Sequence, residues 1–411
     1  MATLGGSVWA CGGSDHHPNA GKTSGGSGGT PSEAGSSSTV AGKASGGAGM
    51  GGVATGSGGG GAGGMAGAGG KREDVPPAKV VGDCSKLGPV DEFEDITPPG
   101  VLGQEYGVTN VVADPVNLGT VYAGTDKKGL FKTTDCGSTW TKVNTGTNGD
   151  IIDTGLLWSM VIDFIDPKVI YTSAAYGMDL SLMKSVDGGV NWKSTAPKGS
   201  LIEQTVQYNF LQDAAIDPTD HLHLVITFHG DCAGDIGKGC IAETYDGGES
   251  WKLLKGPTEG WVDGSGPQIL GGQKFLIQTL QGGVFYTEDG GTTYEKVAPG
   301  ADHSLYKAID GTFYSGSDYG LLRSTDGAHH WDIVPDSPHG YGIIGDGKRM
   351  FLSLRYGEQP YFTSDETDGL KWTPMKSPTT CCGGVYMAYD PEHHVMYSAN
   401  TRGGLWRVVT Q

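Results

Sequence analysis

The chain has 411 residues, 73 of them glycine, with 36% hydrophobic residues and a formal charge of −18. Glycine is a poor helix former and is depleted in strand interiors, which disfavours a helical bundle, and the lack of a strict three-residue glycine period excludes collagen. The acidic balance opposes nucleic acid and anionic membrane surfaces as partners, and no run of 18 apolar residues is present to cross a bilayer.

At the N-terminus, Val8-Trp9-Ala10-Cys11-Gly12 resembles a bacterial lipobox, in which Cys becomes the lipidated first residue. Residues 1–7 lack a basic region and a full apolar stretch, so 1–11 reads as a partial signal with Cys11 as lipidation site. Residues 12–82 are Gly, Ser and Ala-rich, and they hold roughly a third of the glycines. Their charges cancel: Lys22, Lys43, Lys71 and Arg72 stand against Asp15, Glu33, Glu73 and Asp74. Such a stretch cannot bury enough apolar surface to offset chain entropy, and it is expected to be a disordered tether. The implied setting is an exported protein: a bacterial cell-surface or outer-membrane lipoprotein that meets the membrane only through its lipid anchor, or a secreted one.

Residues 83–411 form the folded part, about 330 residues, ample for a core. Six of the seven cysteines lie there. Cys232 and Cys240 flank a short Gly-rich loop and read as a local disulfide. Adjacent Cys381 and Cys382 can form a vicinal one, and Cys84 and Cys136 are left as a pair that would pin the start of the domain. An even count in an exported chain fits oxidising surroundings. No spacing reads as a zinc site, and no cofactor is implied. His221 and His223 share one strand face, a pair too sparse for a metal centre.

From residue 134 onward a tight-turn motif recurs, each copy followed by an aromatic residue. The pairs are Asp135 with Trp140, Asp187 with Trp192, Asp246 with Trp251, Asp289 with Tyr294 and Asp326 with Trp331; a sixth copy is split, Ser364-Asp365 continuing through Asp368-Gly369 to Trp372. The acid accepts backbone N–H groups in the turn, glycine supplies positive φ, and the aromatic anchors the next strand. Around the first copy, 106–113, 120–124, 129–134 and 140–144 read as four strands. Asp-Pro turns at Asp114-Pro115, Asp166-Pro167, Asp217-Pro218 and Asp390-Pro391 mark the same unit elsewhere. Four antiparallel strands per unit make a β-propeller blade. Residues 383–411 supply three strands without a box, while residues 91–98 resemble a fourth strand, as Phe93-Glu94-Asp95-Ile96-Thr97-Pro98 against Trp331-Asp332-Ile333-Val334-Pro335 shows. The expected fold is all-β: one seven-bladed propeller closed by strand 91–98, which leaves no open edge.

These motifs resemble the Asp-box (BNR) propeller superfamily, which includes sialidases, xyloglucan-active glucanases, sortilin ectodomains and a photosystem II assembly factor. The resemblance covers about 90–411 and implies fold far more strongly than activity, because Asp-boxes lie away from the active sites of those families. Sialidases carry an Arg-Ile-Pro motif and an arginine triad; this chain has no such motif and six Arg in all, so it does not resemble them in activity. The xyloglucan-active enzymes place a catalytic Asp in an Arg-Thr-Asp-x-Gly-Gly context; Gly124-Thr125-Asp126-Lys127-Lys128-Gly129 stands there with Arg replaced and one Gly lost.

Topology puts the lead-in loops and the loops between strands two and three on one rim, opposite the Asp-boxes. On that rim, Tyr106, Trp158, Tyr208, Asn209, Trp261, Tyr319 and Tyr356 are candidate substrate-binding residues. His229, His303, His339, Asp126, Arg355 and Arg402 are candidate catalytic ones. Aromatic faces stack on sugar rings, His acts as a base near neutral pH, and Arg pairs with a carboxylate. A uronate polysaccharide lyase would use one His and one Arg. A glycosidase would instead use two facing carboxylates from Asp126, Asp153, Asp179, Asp231 and Asp318. The expected partner is a polysaccharide or oligosaccharide bound by a monomer; the alternative is a non-catalytic binding or assembly propeller for a protein partner.

Overall fold

The computed structural model describes residues 75–411 except 237–238, 258–263, 280–281, 300–303, 318, 355–359 and 379–382. Among the described residues the strands form seven four-stranded antiparallel sheets and one two-stranded pairing. Blade one is Val108–Ala113, Val121–Thr125, Leu130–Thr133 and Thr141–Lys142. Blades two to six follow in chain order, each a simple meander. Blade seven takes Tyr386–Asp390, Val395–Ala399 and Leu405–Val409 from the C-terminus and Phe93–Asp95 from the start of the domain, with Phe93 opposite Val408 and Asp95 opposite Trp406. The chain is thus a seven-bladed Asp-box β-propeller. No helix among the described residues is long and apolar enough to cross a membrane.

Each pair of neighbouring blades encloses its own apolar cluster. Val111 and Ala123 meet Tyr397 and Leu405 between blades one and seven, and Tyr122 and Leu130 meet Ile170 and Trp192 between blades one and two. The same pattern repeats at the other five interfaces. The core is a ring of seven small cores, so the inner strands are buried on both faces, as the fully buried run Val108–Ala113 shows, while fourth strands such as Lys193–Ser194 are exposed.

The Asp-boxes are built by one local scheme. In the second box Ser185 Oγ donates to Asp187 Oδ1 at 2.8 Å, the Asn191 backbone N–H donates to the same oxygen at 2.9 Å, and Trp192 Nε1 donates to Gly189 O at 2.9 Å. Gly188 and Gly189 carry φ of 76° and 94°, a region that admits glycine at little cost. Hydrogen bonds outweigh burial and hold the box carboxyls down, to about 2 for Asp246 and Asp289. The split box differs: Asp365 caps Thr367, and buried Glu366 reaches instead to blade five, accepting from Tyr306 Oη at 2.7 Å and Ile309 N at 3.0 Å.

Several features lie outside the sequence expectations. Lys79–Val80, within the stretch read as tether, pairs in parallel with Asn117–Leu118. The fourth strands are short, two residues each in blades one, two, five and six. Two short helices, Gly149–Ile152 and Leu201–Val206, occupy the lead-in connections of blades two and three. The second is capped by Ser200, whose Oγ accepts from Glu203 N at 3.1 Å, while the Glu203 carboxylate reaches back to Gly199 N at 2.5 Å. Cys84 bonds Cys136 and Cys232 bonds Cys240. Cys11, Cys381 and Cys382 lie outside the described residues.

Candidate functional site

The rim that carries the lead-in loops is tied together around Asp126. This residue is 1% exposed. Its Oδ2 accepts the Tyr106 backbone N–H at 3.1 Å and its own N–H donates to Gly107 O at 2.9 Å. Asp126 also bridges Leu156, which bridges Ala175, so blade one's loop is joined to two loops of blade two. The second carboxylate oxygen of Asp126 has no hydrogen bond among the described residues; Lys127 Nζ lies 3.9 Å away. On the other side, Gly107 has φ of 61°, and a Cβ there would sit 2.7 Å from Thr401 O. Only glycine permits this approach, which brings the Arg402 loop of blade seven against Tyr106. Arg402 Nε donates to Glu105 O at 2.6 Å and its Nη2 lies 3.9 Å from Glu105 Oε1.

Beside Asp126 runs a series of touching rings. Tyr106 meets Trp158 edge to face with centroids 6.0 Å apart, and Trp158 meets Tyr176 in the same way at 5.8 Å. Phe210 lies 4.4 Å from Tyr176 and 6.1 Å from Trp158, and His229 stacks on Phe210 at 4.5 Å. These are the offset and perpendicular geometries that ring quadrupoles favour. A small apolar cluster of Leu156, Ala175 and Phe210 supports the rings from below, with Trp158 and Leu180 packed against it. The upper surface is open: Tyr106 is 37% exposed and Tyr176 58%. Tyr176 has φ of 58°, so its backbone is held in the sparsely populated left-handed region. Buried Asn209 sets the far end, donating to Asp231 O at 2.8 Å and accepting from Gly230 N at 2.9 Å, which fixes the loop that carries His229.

The structure thus brings Arg402, Tyr106, Asp126, Trp158, Asn209 and His229 onto one arc across blades seven, one, two and three. Tyr208, 61% exposed, follows the short helix that leads into blade three. Tyr319, 63% exposed, and exposed His339 belong to blades five and six and touch none of the arc residues. His303, Trp261, Arg355 and Tyr356 lie outside the described residues, as does Asp318. Asp153 is engaged in the scaffold, bound by Lys142 Nζ at 2.7 Å and Asn144 Nδ2 at 2.8 Å. Phe210 is the arc residue that sequence reasoning missed: beside Leu211 it reads as ordinary strand core, and its role follows only from the loops folding over it.

No family model matches the chain. A probable oligoxyloglucan-reducing end-specific xyloglucanase of Neosartorya fischeri is 27% identical over 261 residues, which is 53% of this chain and 29% of that protein. The chain therefore spans less than a third of the length of this curated relative. Among solved structures, YCF48 bound to D1 peptide superposes with a TM-score of 0.56 at 15% identity, covering 79% of this chain and 99% of that one. The GH74 xyloglucanase from Xanthomonas campestris gives 0.53 at 16% identity, covering 79% of this chain and 54% of that one. At these identities the two structures are similar in fold.

Proposed function

We propose that this propeller binds a polysaccharide chain along the ring series of blades one to three, with Trp158 at its centre. The observation that carries this reading is the contiguous series in which exposed Tyr106 and Tyr176 flank half-buried Trp158 and rest on the buried cluster of Phe210, Leu156 and Ala175, with His229 stacked on Phe210. The C–H faces of pyranose rings stack on such surfaces, and the half-exposed Arg402 guanidinium and backbone groups of the adjoining loops supply partners for sugar hydroxyls. The similarity to a xyloglucanase supports a β-glucan backbone as the ligand class. Binding is the function proposed, because the exposed rings of this series form a surface on which sugar rings can stack.

Calorimetric titration with xyloglucan, unbranched β-glucan and uronate oligosaccharides tests this. Trp158→Ala is expected to weaken binding of the best ligand by about tenfold or more, roughly 1.4 kcal/mol, while His339→Ala, away from the arc, leaves it unchanged. No binding to any glycan, or equal affinity of Trp158→Ala and the parent, rejects the reading. Reducing-end and 235 nm assays on the same samples report whether hydrolysis or β-elimination accompanies binding.

The reading includes export, which the two disulfides support by fitting an oxidising compartment, and a lipid anchor at Cys11, which rests on the lipobox-like Val8–Gly12 stretch. Mass spectrometry of the mature protein is expected to find an acylated Cys11 as its first residue; an unmodified or different N-terminus rejects the anchor.

A further inference from the structure

Away from the ring series, the first strands of blades three to seven enclose a cavity of about 40 Å³ in the channel, with Asp213, Gln268, Ser304, Ile344 and Tyr386 among its walls. Two features of this lining are unusual for the interior of a protein. Asp213 is 6% exposed, and its carboxylate is met only by neutral donors: Ser159 Oγ at 3.0 Å and Ala214 N at 2.8 Å on Oδ1, with the Gly266 N–H also donating. No Lys, Arg or His of the described residues lies within ion-pair distance of it. Gln268 is 5% exposed, and both its amide oxygen and its amide nitrogen lack a hydrogen-bond partner among the described residues. A buried charge without a counter-charge is costly, and so is a buried amide with both ends unpaired. Together they line one cavity that also has apolar walls from Leu305 and Ile344, with room for an ion and a water or two.

We propose that this channel cavity is a binding site for a hard, oxygen-seeking cation, calcium above all, held by the Asp213 carboxylate and the Gln268 amide oxygen with water completing its shell. The cation supplies the charge that Asp213 lacks and a partner for Gln268. The donor set is oxygen without thiolate, and imidazole is absent from it, which suits calcium and disfavours zinc. Because the walls come from five blades, the ion would brace the first strands against one another from inside the ring.

The test uses the full chain, stripped with a chelator and held in a choline buffer, with melting followed as CaCl₂ is added. Millimolar calcium is expected to raise the melting temperature by about 3 °C or more at pH 7.5. Sodium or potassium in place of calcium separates a monovalent occupant from a divalent one, and zinc should have no such effect. Asp213→Asn and, independently, Gln268→Leu should each abolish the calcium-dependent shift while still melting cooperatively; His339→Ala should keep it. Melting that does not respond to any of the hard cations, or a full shift retained in both variants, overturns the proposal in favour of a channel filled by water alone.

Discussion

Replacing His223 by alanine is expected to lower the stability of the propeller by about 3–5 kcal/mol, the range found when one partner of a buried ion pair is removed. His223 is fully buried in blade three. Its Nδ1 lies 2.8 Å from Asp217 Oδ2 and its Nε2 3.1 Å from Glu243 Oε1, and the Tyr245 ring stacks on it at 4.1 Å. Tyr245 Oη also donates to Glu243 at 2.8 Å, and Asp217 Oδ2 accepts Gly272 N of blade four at 2.7 Å. Removing the imidazolium leaves two buried carboxylates facing a cavity, and one of them is a joint between blades. Burial alone would push His223 down, but the hydrogen bonds and charges of Asp217 and Glu243 overcome it and hold the group up at about 9. Because the folded value exceeds the unfolded value near 6.5, this stabilisation is fully present below about pH 6.5 and is lost as pH rises through about 9. Urea denaturation at pH 6 and pH 9.5 checks both points. The parent should lose stability between the two, and His223→Ala should be weaker at pH 6 and less sensitive to pH. Equal stability of parent and variant at pH 6 contradicts the assignment.

The second large effect is expected from the Cys84–Cys136 disulfide. It closes a 52-residue separation, for which the chain-entropy estimate is about 4 kcal/mol, against about 2–3 kcal/mol for the eight-residue separation of Cys232–Cys240. The longer bridge sits where the ring is sealed. Arg407, on the strand that pairs with Phe93–Asp95, donates to Glu94 Oε2 at 2.7 Å, to Cys136 O at 2.7 Å and to Lys86 O at 2.8 Å, so the closing strand and the bridge are held by one side chain. Serine at both positions 84 and 136 should therefore cost more stability than serine at both 232 and 240. The reverse order in denaturant titrations would place the weak point of the ring elsewhere.

The legibility of this protein follows the range of its interactions. An Asp-box is closed within seven residues, as the bonds that Asp187 accepts from Ser185 and Asn191 show, so each copy announces itself in the sequence and six copies set the architecture. Ring closure was also visible, because Phe93-Glu94-Asp95 has the form of the other fourth strands and pairs as one. The ring series was legible in part: Tyr106, Trp158 and His229 belong to loops that repetition assigns to one rim. Phe210 was hidden among the apolar residues of a strand start. His221 and His223 share a strand face but divide between Asp163, 58 residues away, and Asp217 with Glu243. Those partners come from different turns and strands, and spacing alone cannot select them. Asp213 and Gln268 are two polar residues of successive inner strands, and their shared cavity exists only once the ring has closed.

The central claim is that a glycan lies on the ring series of blades one to three. A crystal structure of the propeller with its best-binding oligosaccharide tests it most directly. Sugar rings are expected within van der Waals distance of Trp158 and its neighbours Tyr106 and Tyr176. A glycan seated near Tyr319 and His339, or on the Asp-box rim, would contradict it.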